Sequence, residues 1–217
     1  MPWRPSKAGT STQIKEYHMI TLTPYLSILP SSDSPLSADV YFIRGDKHTY
    51  IIDVGSNDTS YEAVKNTPDK KVIITHFHED HTDNIKRLMI PEEDLYVGNY
   101  TRKSIRYGTE IDSKLTIDDG VHLTIVPIPN SHAKGSLCVT VNDEYLILGD
   151  AFYSNIKGYN VSLLSEEIKL LKELDYKYVL MSHKDKAHEK DEIISILEKI
   201  YLKREKDNPF IPVGPEE

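Results

Sequence analysis

The sequence predicts an α+β fold in which two β-sheets pack face to face with helices outside, an αββα sandwich. Short runs rich in Val, Ile and Tyr recur along most of the chain, with helical segments inserted singly between them. Two of those segments, 162–175 and 189–204, carry apolar stripes at helical spacing. The 217-residue length predicts one domain, residues 14–206, between a disordered segment at 1–13 and an irregular, proline-containing tail at 207–217.

The remaining elements follow from apolar periodicity and turn residues. Strands are predicted near 17–22, 25–30, 38–44, 48–54, 71–75, 94–98, 114–117, 121–128, 136–142, 144–149 and 178–181. Shorter helices are predicted near 59–66 and from Asp83 to just before Pro91. The turns at 45–48 and 141–144 carry Gly, Asn and Asp, which favour hairpins.

Composition and charge narrow the possible partners. Charged residues are 28% and apolar residues 39%, which is typical of a soluble globular protein. A net charge of −8 argues against nucleic acid and leaves a small-molecule substrate. The basic stretch Arg102–Arg106 is a solvated helix face or, alternatively, a region that attracts an anionic substrate. The sequence has neither a membrane-spanning run nor an apolar N-terminal signal, which favours the cytoplasm.

The chain has one cysteine, Cys138, so it forms no intrachain disulfide. Cys138 lies in the strand-like run 137–141. That setting predicts a buried, unreactive thiol rather than a reactive one.

The segment Thr75–His81 carries the strongest chemical information. Three histidines and an aspartate fall within six residues, directly after a β-branched run. His76 and His78 share one side of an extended chain, and Asp80 and His81 follow on the turn. Imidazole and carboxylate are ligands for transition metals such as zinc or iron. A polar loop without metal is the alternative, but four ligand-type side chains this close together favour a metal site.

Three later strands also end at ligand-type residues. These residues are His132, Asp150 and His183. Strand ends along one edge of a sandwich can converge, and rigid elements then hold the side chains in place. The candidate metal ligands are therefore His76, His78, Asp80, His81, His132, Asp150 and His183.

Taken together, these residues resemble the metallo-β-lactamase fold superfamily. The matching motifs are His-x-His-x-Asp-His at 76–81, His-x-x-Gly-Ser at 132–136, Gly-Asp-Ala at 149–151, Ser-His at 182–183, and the early Asp53. The resemblance spans residues 20–205 and implies an αββα metallo-β-lactamase-like sandwich. It points to the short, single-domain, glyoxalase II-like hydrolases, since the chain ends before the C-terminal helical domain of the longer glyoxalase II form.

The resemblance also implies two divalent metal ions, zinc in the first place, with iron or manganese as alternatives. One ion takes His76, His78 and His132, the other takes Asp80, His81 and His183, and Asp150 bridges them. Asp53 orients a ligand by hydrogen bonding. The four remaining histidines, His18, His48, His122 and His188, are expected to have no ligand role.

The sequence departs from the family pattern after His81. Many members continue with a residue and two glycines, whereas this chain has Thr82, Asp83 and Asn84. Asp83 is predicted to be the N-cap of the following helix. The departure leaves the ligands intact but changes a segment beside the substrate pocket.

The expected reaction is hydrolysis by a metal-bridging hydroxide, with Asp80 accepting or steering the proton of the attacking water. A thioester, lactone or related ester is the expected substrate class. The presence of Asp150 disfavours β-lactams, because the true β-lactamases of the superfamily generally lack that bridging aspartate. Tyr153, Asn155 and Lys184 lie beside ligands in sequence and either face substrate or are neighbours without a role.

Three other functions remain open at the sequence level. One is a persulfide dioxygenase, with a single iron held by His76, His132 and Asp150. Another is a phosphodiesterase of the same superfamily, although its nuclease branches usually carry an added domain. The last is a non-catalytic metal-binding protein, which would not need open coordination positions.

Overall fold

The computed structural model describes residues 18–128, 133–151, 157–184 and 186–212. Within these ranges the helices are α1 (Asp58–Lys65), α2 (Glu79–Thr82), α3 (Ile85–Leu88), α4 (Asn99–Ile105), α5 (Val161–Glu173) and α6 (Lys190–Leu202), with a 3₁₀ turn at Glu92–Asp94. The strands are β1 (Ile20–Thr21), β2 (Leu26–Leu29), β3 (Ser32–Asp33), β4 (Leu36–Ser37), β5 (Val40–Arg44), β6 (Thr49–Ile52), β7 (Lys70–Ile74), β8 (Leu95–Val97), β9 (Thr109–Glu110), β10 (Leu115–Asp118), β11 (His122–Pro127), β12 (Leu137–Val141), β13 (Tyr145–Ile147), β14 (Tyr159–Asn160), β15 (Tyr178–Leu180), β16 (His188–Glu189) and β17 (Phe210–Ile211).

Two sheets form the centre of the molecule. The first has the order β1-β2-β5-β6-β7-β8-β9, and the second has the order β10-β11-β12-β13-β15-β16. Strands β6 to β9 pair in parallel, while β13 and β15 form the parallel pair of the second sheet. Helices α5 and α6 pack against each other on the outside of the second sheet. The predicted αββα architecture is confirmed.

Strand β5 shows why the strands of the first sheet are apolar throughout. Tyr41 and Ile43 point into the core between the sheets, whereas Val40 and Phe42 point to the opposite face and pack in the cluster that contains Val64 of α1. Both faces are therefore covered, which removes the polar alternation of a half-exposed strand.

The outer helices bury most of their predicted stripe residues. Leu164, Ile168 and Leu171 of α5 are buried, as are Ile193 and Leu197 of α6. Ile196, which the helical periodicity assigns to the same stripe, is 41% exposed, and Ile194 is buried instead. The inward face of α6 is therefore rotated toward position 194.

Cys138 lies under these helices on β12 and is completely buried. Burial raises the pKa of its thiol to about 12, so the thiolate is negligible at neutral pH. The prediction of a buried thiol is confirmed.

Asp119 ties the two sheets together at one end of the sandwich. Its carboxylate accepts hydrogen bonds from the backbone N–H of Lys47 at 3.0 Å and of His48 at 2.9 Å, and from the Tyr50 hydroxyl at 3.2 Å. The predicted hairpin at 45–48 is therefore anchored to the turn between β10 and β11. This end of the molecule lies at the start of β6, opposite to the end that leads to Asp53.

Two local predictions are wrong. Asp83 is not a helix N-cap: its N–H donates to the Glu79 carbonyl at 2.8 Å, so it ends α2, and its carboxylate pairs with Lys86. The chain becomes helical directly after His78, earlier than the apolar pattern indicates. The tail is not wholly irregular, because Phe210 and Ile211 pair with β14 and bury Ile211. The predicted disorder of residues 1–13 lies outside the described residues.

Among the described residues, none of the helices combines the length and apolar character that a membrane span requires.

Candidate metal centre

The end of β7 positions the first pair of candidate ligands. After Ile74 the chain leaves the sheet, and the carbonyl of Thr75 accepts a hydrogen bond from Leu137 N–H at 2.7 Å at the start of β12. His76 is 1% exposed. Its Nε2 lies 3.1 Å from Nδ1 of His78, so the two rings meet at the end of β7.

Helix α2 presents the next two candidates. His81 is completely buried, and its Nε2 lies 3.4 Å from Oδ2 of Asp80. Its other ring nitrogen, Nδ1, lies 2.7 Å from Oδ2 of Asp53. A carboxylate at this distance makes Nδ1 a protonated nitrogen, so Nε2 is the nitrogen that faces the other ligand-type groups.

Asp53 positions two neighbouring side chains of the site by hydrogen bonding. It follows β6, is completely buried and has a left-handed backbone with φ of 60°. Besides its contact with His81, its carboxylate accepts hydrogen bonds from Thr75 N–H and the Thr75 hydroxyl, both at 2.8 Å. The Thr75 hydroxyl oxygen also lies 3.0 Å from Nδ1 of His76. One carboxylate thus orients two imidazoles, one of them through Thr75.

Asp150 enters from the second sheet, where β13 ends. Its Oδ2 lies 3.3 Å from Nε2 of His81 and 3.9 Å from Nε2 of His76. The preceding Gly149 has φ of 60°, and a Cβ at this position would lie 2.8 Å from the Thr75 hydroxyl oxygen. The close approach of the two sheets at this point therefore requires glycine.

His183 enters beside Asp150 because β15 runs parallel to β13. The pairing continues past both strands, since Ser182 N–H donates to the Gly149 carbonyl at 2.9 Å. Nε2 of His183 then lies 3.0 Å from Oδ2 of Asp80. Residues from both sheets therefore meet at one edge of the sandwich.

Four side chains form a compact group suited to one metal ion. One ligand atom from each of Asp80, His81, Asp150 and His183 lies within 4.8 Å of all the others. His76 adjoins this group through Asp150, and His78 contacts His76. The donor set, imidazole nitrogens with carboxylate oxygens, is the chemistry that binds zinc, iron and manganese.

The charges of the group are strongly coupled. Burial alone would raise the pKa of Asp150, but hydrogen bonding and charge from His81, with His76 and His183, lower it to about 2. Burial lowers the pKa of His81, yet Asp53 and Asp150 outweigh it and raise that pKa to about 10. The carboxylates thus hold a positive charge among them, and a divalent ion can replace the bound proton.

Three residues singled out in the sequence lie outside the described residues, namely His132, Tyr153 and Asn155. Lys184 is exposed next to His183. The histidines expected to have no ligand role include His48 and His122, which pair with Asp119 and Asp118. Thr75 was not predicted as a site residue, because only its contacts with Asp53 and His76 connect it to the site.

Comparison with known proteins supports the resemblance inferred from the motifs. Residues 33–89 match the family Lactamase_B, described as the metallo-beta-lactamase superfamily. A hydroxyacylglutathione hydrolase from Shewanella halifaxensis is 27% identical over 112 residues, which cover 48% of this chain and 43% of that protein. The chain thus matches less than half the length of this relative.

Solved structures agree with the fold. A metallo-beta-lactamase from Pontibacter korlensis superposes with a TM-score of 0.64 at 16% identity, covering 84% of this chain and 99% of that one. The flavodiiron protein from Giardia intestinalis superposes with a TM-score of 0.66 at 14% identity, covering 85% of this chain and 59% of that one. The chain is a metallo-beta-lactamase-fold protein, and its segment 33–89 is the part that the superfamily match covers.

Proposed function

We propose that this protein is a metal-dependent hydrolase with two adjacent ion sites at the edge of the sandwich. The observation that carries the proposal is the compact group of Asp80, His81, Asp150 and His183, within 4.8 Å of one another, with His76 and His78 beside it. A purely structural cluster would not need this many metal-binding groups at one partly accessible edge.

The ligands divide into two sets. His76, His78 and His132 would hold the first ion, and Asp80, His81 and His183 the second, with Asp150 shared. Asp53 and Thr75 fix the ring orientations from behind. Zinc is the proposed metal, because imidazole and carboxylate together suit it, with iron or manganese as substitutes.

Divalent ions, if bound by these residues, would supply a hydroxide nucleophile at neutral pH and would polarise the group under attack. The chain provides the other contributions. We propose that Asp80, whose carboxylate also contacts His183, holds the proton released by the attacking water. The buried network around Asp53 keeps the imidazoles fixed, so that little reorganisation accompanies the reaction.

A thioester, lactone or related ester is the proposed substrate class. Two observations support it: Oδ2 of Asp150 lies near both His76 and His81, and the chain is similar to a protein named hydroxyacylglutathione hydrolase. The fold itself does not select the substrate, since both a metallo-beta-lactamase and a flavodiiron protein superpose on it.

The proposal is tested with zinc- and manganese-loaded protein on S-lactoylglutathione, an aryl thioester, a homoserine lactone, a cephalosporin and a bis-aryl phosphodiester. Wild-type protein should hydrolyse a thioester or lactone, and Asp150→Asn should lower kcat/KM by about 100-fold or more. Asp118→Asn is the matched control, because Asp118 also contacts a histidine, at 2.6 Å, but it ends β10 at the opposite end of the sandwich. Its activity should equal that of wild type.

Metal analysis of the same samples separates the other functions. Two ions per chain are expected. If the protein instead binds one iron per chain and consumes oxygen with a persulfide substrate, it is a dioxygenase and not a hydrolase. Undiminished turnover in metal-loaded Asp150→Asn would contradict the shared-carboxylate site.

A further inference from the structure

Asp39 is a buried carboxylate next to the candidate metal centre that the sequence motifs do not include. It precedes β5 and is 6% exposed. Its Oδ1 accepts a hydrogen bond from Ser31 N–H, and its Oδ2 accepts one from His183 N–H, each at 2.8 Å. The Ser182 hydroxyl lies 3.4 Å from the same Oδ2 and accepts a hydrogen bond from Asp39 N–H at 3.1 Å.

The residue that Asp39 holds has an unusual backbone. His183 has φ of 59°, in the left-handed region that residues other than glycine rarely adopt. Surrounding contacts must maintain such a conformation. The Asp39 carboxylate is the group that accepts the hydrogen bond from His183 N–H. In this conformation Nε2 of His183 reaches Oδ2 of Asp80 at 3.0 Å.

Ala38, the residue before Asp39, contacts the backbone of Asp80, the candidate ligand that His183 reaches. Ala38 N–H donates to the carbonyl of Asp80 at 3.0 Å. Two consecutive residues therefore contact the backbone of Asp80 and the backbone of His183, which lie 103 positions apart in the chain. The spacing between these two candidate ligands is set by the start of β5.

We propose that Asp39 is a positioning residue for the second metal ion, acting by fixing the backbone and ring of His183. The inference rests on the proposed metal centre and adds a specific function to a residue outside its ligand set. Loss of the carboxylate releases His183 from its left-handed conformation, and the second ion loses one pre-oriented ligand. The first ion, held by other residues, keeps its affinity.

A merely structural role is the competing explanation, because any buried carboxylate that accepts backbone hydrogen bonds stabilises the fold. Asp119 provides the matched comparison. It is 8% exposed and accepts two backbone N–H bonds and one hydroxyl bond, but at the opposite end of the sandwich. The two carboxylates share their local chemistry and differ in their distance from the metal centre.

The experiment compares wild type, Asp39→Asn and Asp119→Asn as purified full-length chains. Each chain is stripped of metal and titrated with Co²⁺, following the number of ions bound and the visible absorption of each site. Asp39→Asn should bind the first ion as wild type does and the second with a dissociation constant raised about tenfold or more. Asp119→Asn should match wild type for both ions, even where its thermal stability falls.

Ser182→Ala tests the same positioning role in a chain that retains the Asp39 carboxylate. It removes the hydroxyl contact to Asp39 and should weaken the second ion by a smaller factor, with the first unchanged. Equal second-ion affinity in wild type and Asp39→Asn, or an equal loss in Asp39→Asn and Asp119→Asn, would overturn the positioning role alone. A wild-type chain that binds fewer than two ions would overturn both this role and the proposed two-ion centre.

Discussion

At the scale of single residues, the candidate centre is built from left-handed strand ends. Asp53, Gly149 and His183 follow β6, β13 and β15, and their φ angles are 60°, 60° and 59°. A left-handed residue turns the chain sharply out of the sheet, which directs the neighbouring side chains toward the edge. Two of the three are not glycine, so side-chain contacts rather than intrinsic preference maintain them.

Gly149→Ala is predicted to destabilise the fold and also weaken metal binding. A left-handed alanine costs about 1–2 kcal/mol, and its Cβ would lie 2.8 Å from the Thr75 hydroxyl oxygen that Asp53 and His76 share. We expect a lower melting temperature by calorimetry and metal affinity reduced by about tenfold.

Gly120→Ala is the control for this prediction. Gly120 has φ of 68°, and its Cβ would meet the Asp46 side chain at the opposite end of the molecule. It should lower the melting temperature but leave metal affinity unchanged. Equal metal affinity in Gly149→Ala and wild type would show that the close approach at Thr75 is not needed by the site.

The residue scale also shows the limit of the motifs. The ligand-type residues of 76–81, Asp150 and His183 were predictable because they follow apolar strands and carry metal-binding groups. Asp39 and Thr75 were not predicted, because their contribution depends on contacts with Ser31, His183 and Asp53 that local spacing does not reveal.

At the scale of elements, α5 buries an ionisable carboxyl group among apolar side chains. Glu167 is 6% exposed on a helix whose inward face is otherwise apolar. Burial raises the pKa of its carboxyl from 4.5 to about 8. The folded chain therefore holds a proton on Glu167 at pH values where the unfolded chain has released it.

Stability should consequently fall as pH rises from about 4.5 to about 8, because the unfolded state binds fewer protons over this range. The contribution is fully favourable below pH 4.5 and is lost above pH 8. The slope from this group is about 1.4 kcal/mol per pH unit at its steepest. Glu167→Gln should remove that slope and be the more stable protein at pH 9, measured by urea unfolding from pH 4 to pH 9.

Glu173→Gln is the matched control, since Glu173 is exposed on the same helix. It should follow the wild-type pH profile. A wild-type slope that persists in Glu167→Gln would show that another group causes it.

Most elements were predictable, and the exceptions have physical causes. Strands such as β6, β7 and β12 have apolar runs, and α1, α5 and α6 have clear stripes or caps. Strands β14 and β17 pair residues that are about 50 positions apart in the chain. Strands of two residues are too short to show a periodic pattern in the sequence. The break between α2 and α3 is likewise set by the backbone leaving His78 rather than by apolar periodicity.

At the scale of the whole molecule, Cys138 reports the integrity of the sandwich. It lies on β12 between β11 and β13, beneath α5 and α6, and is completely buried. Its thiol should react with Ellman's reagent only when the second sheet opens. At pH 8 without denaturant we expect labelling at least about 1,000-fold slower than in the unfolded chain.

Ser104→Cys places a second thiol on the exposed face of α4 and serves as the internal standard. That chain should show one fast and one slow thiol, and urea should accelerate only the slow one. Two fast thiols in the folded protein would mean that the second sheet opens locally.

The pairing of distant strand ends has a consequence for biosynthesis. Asp80 and His183 lie 103 residues apart, and Asp39 contacts a backbone group 144 residues further along the chain. A growing chain on the ribosome carries the histidine-rich loop long before β15 has been translated. The proposed metal centre would therefore not be completed early in synthesis, and metal binding by the full ligand set would require that the late strands have docked.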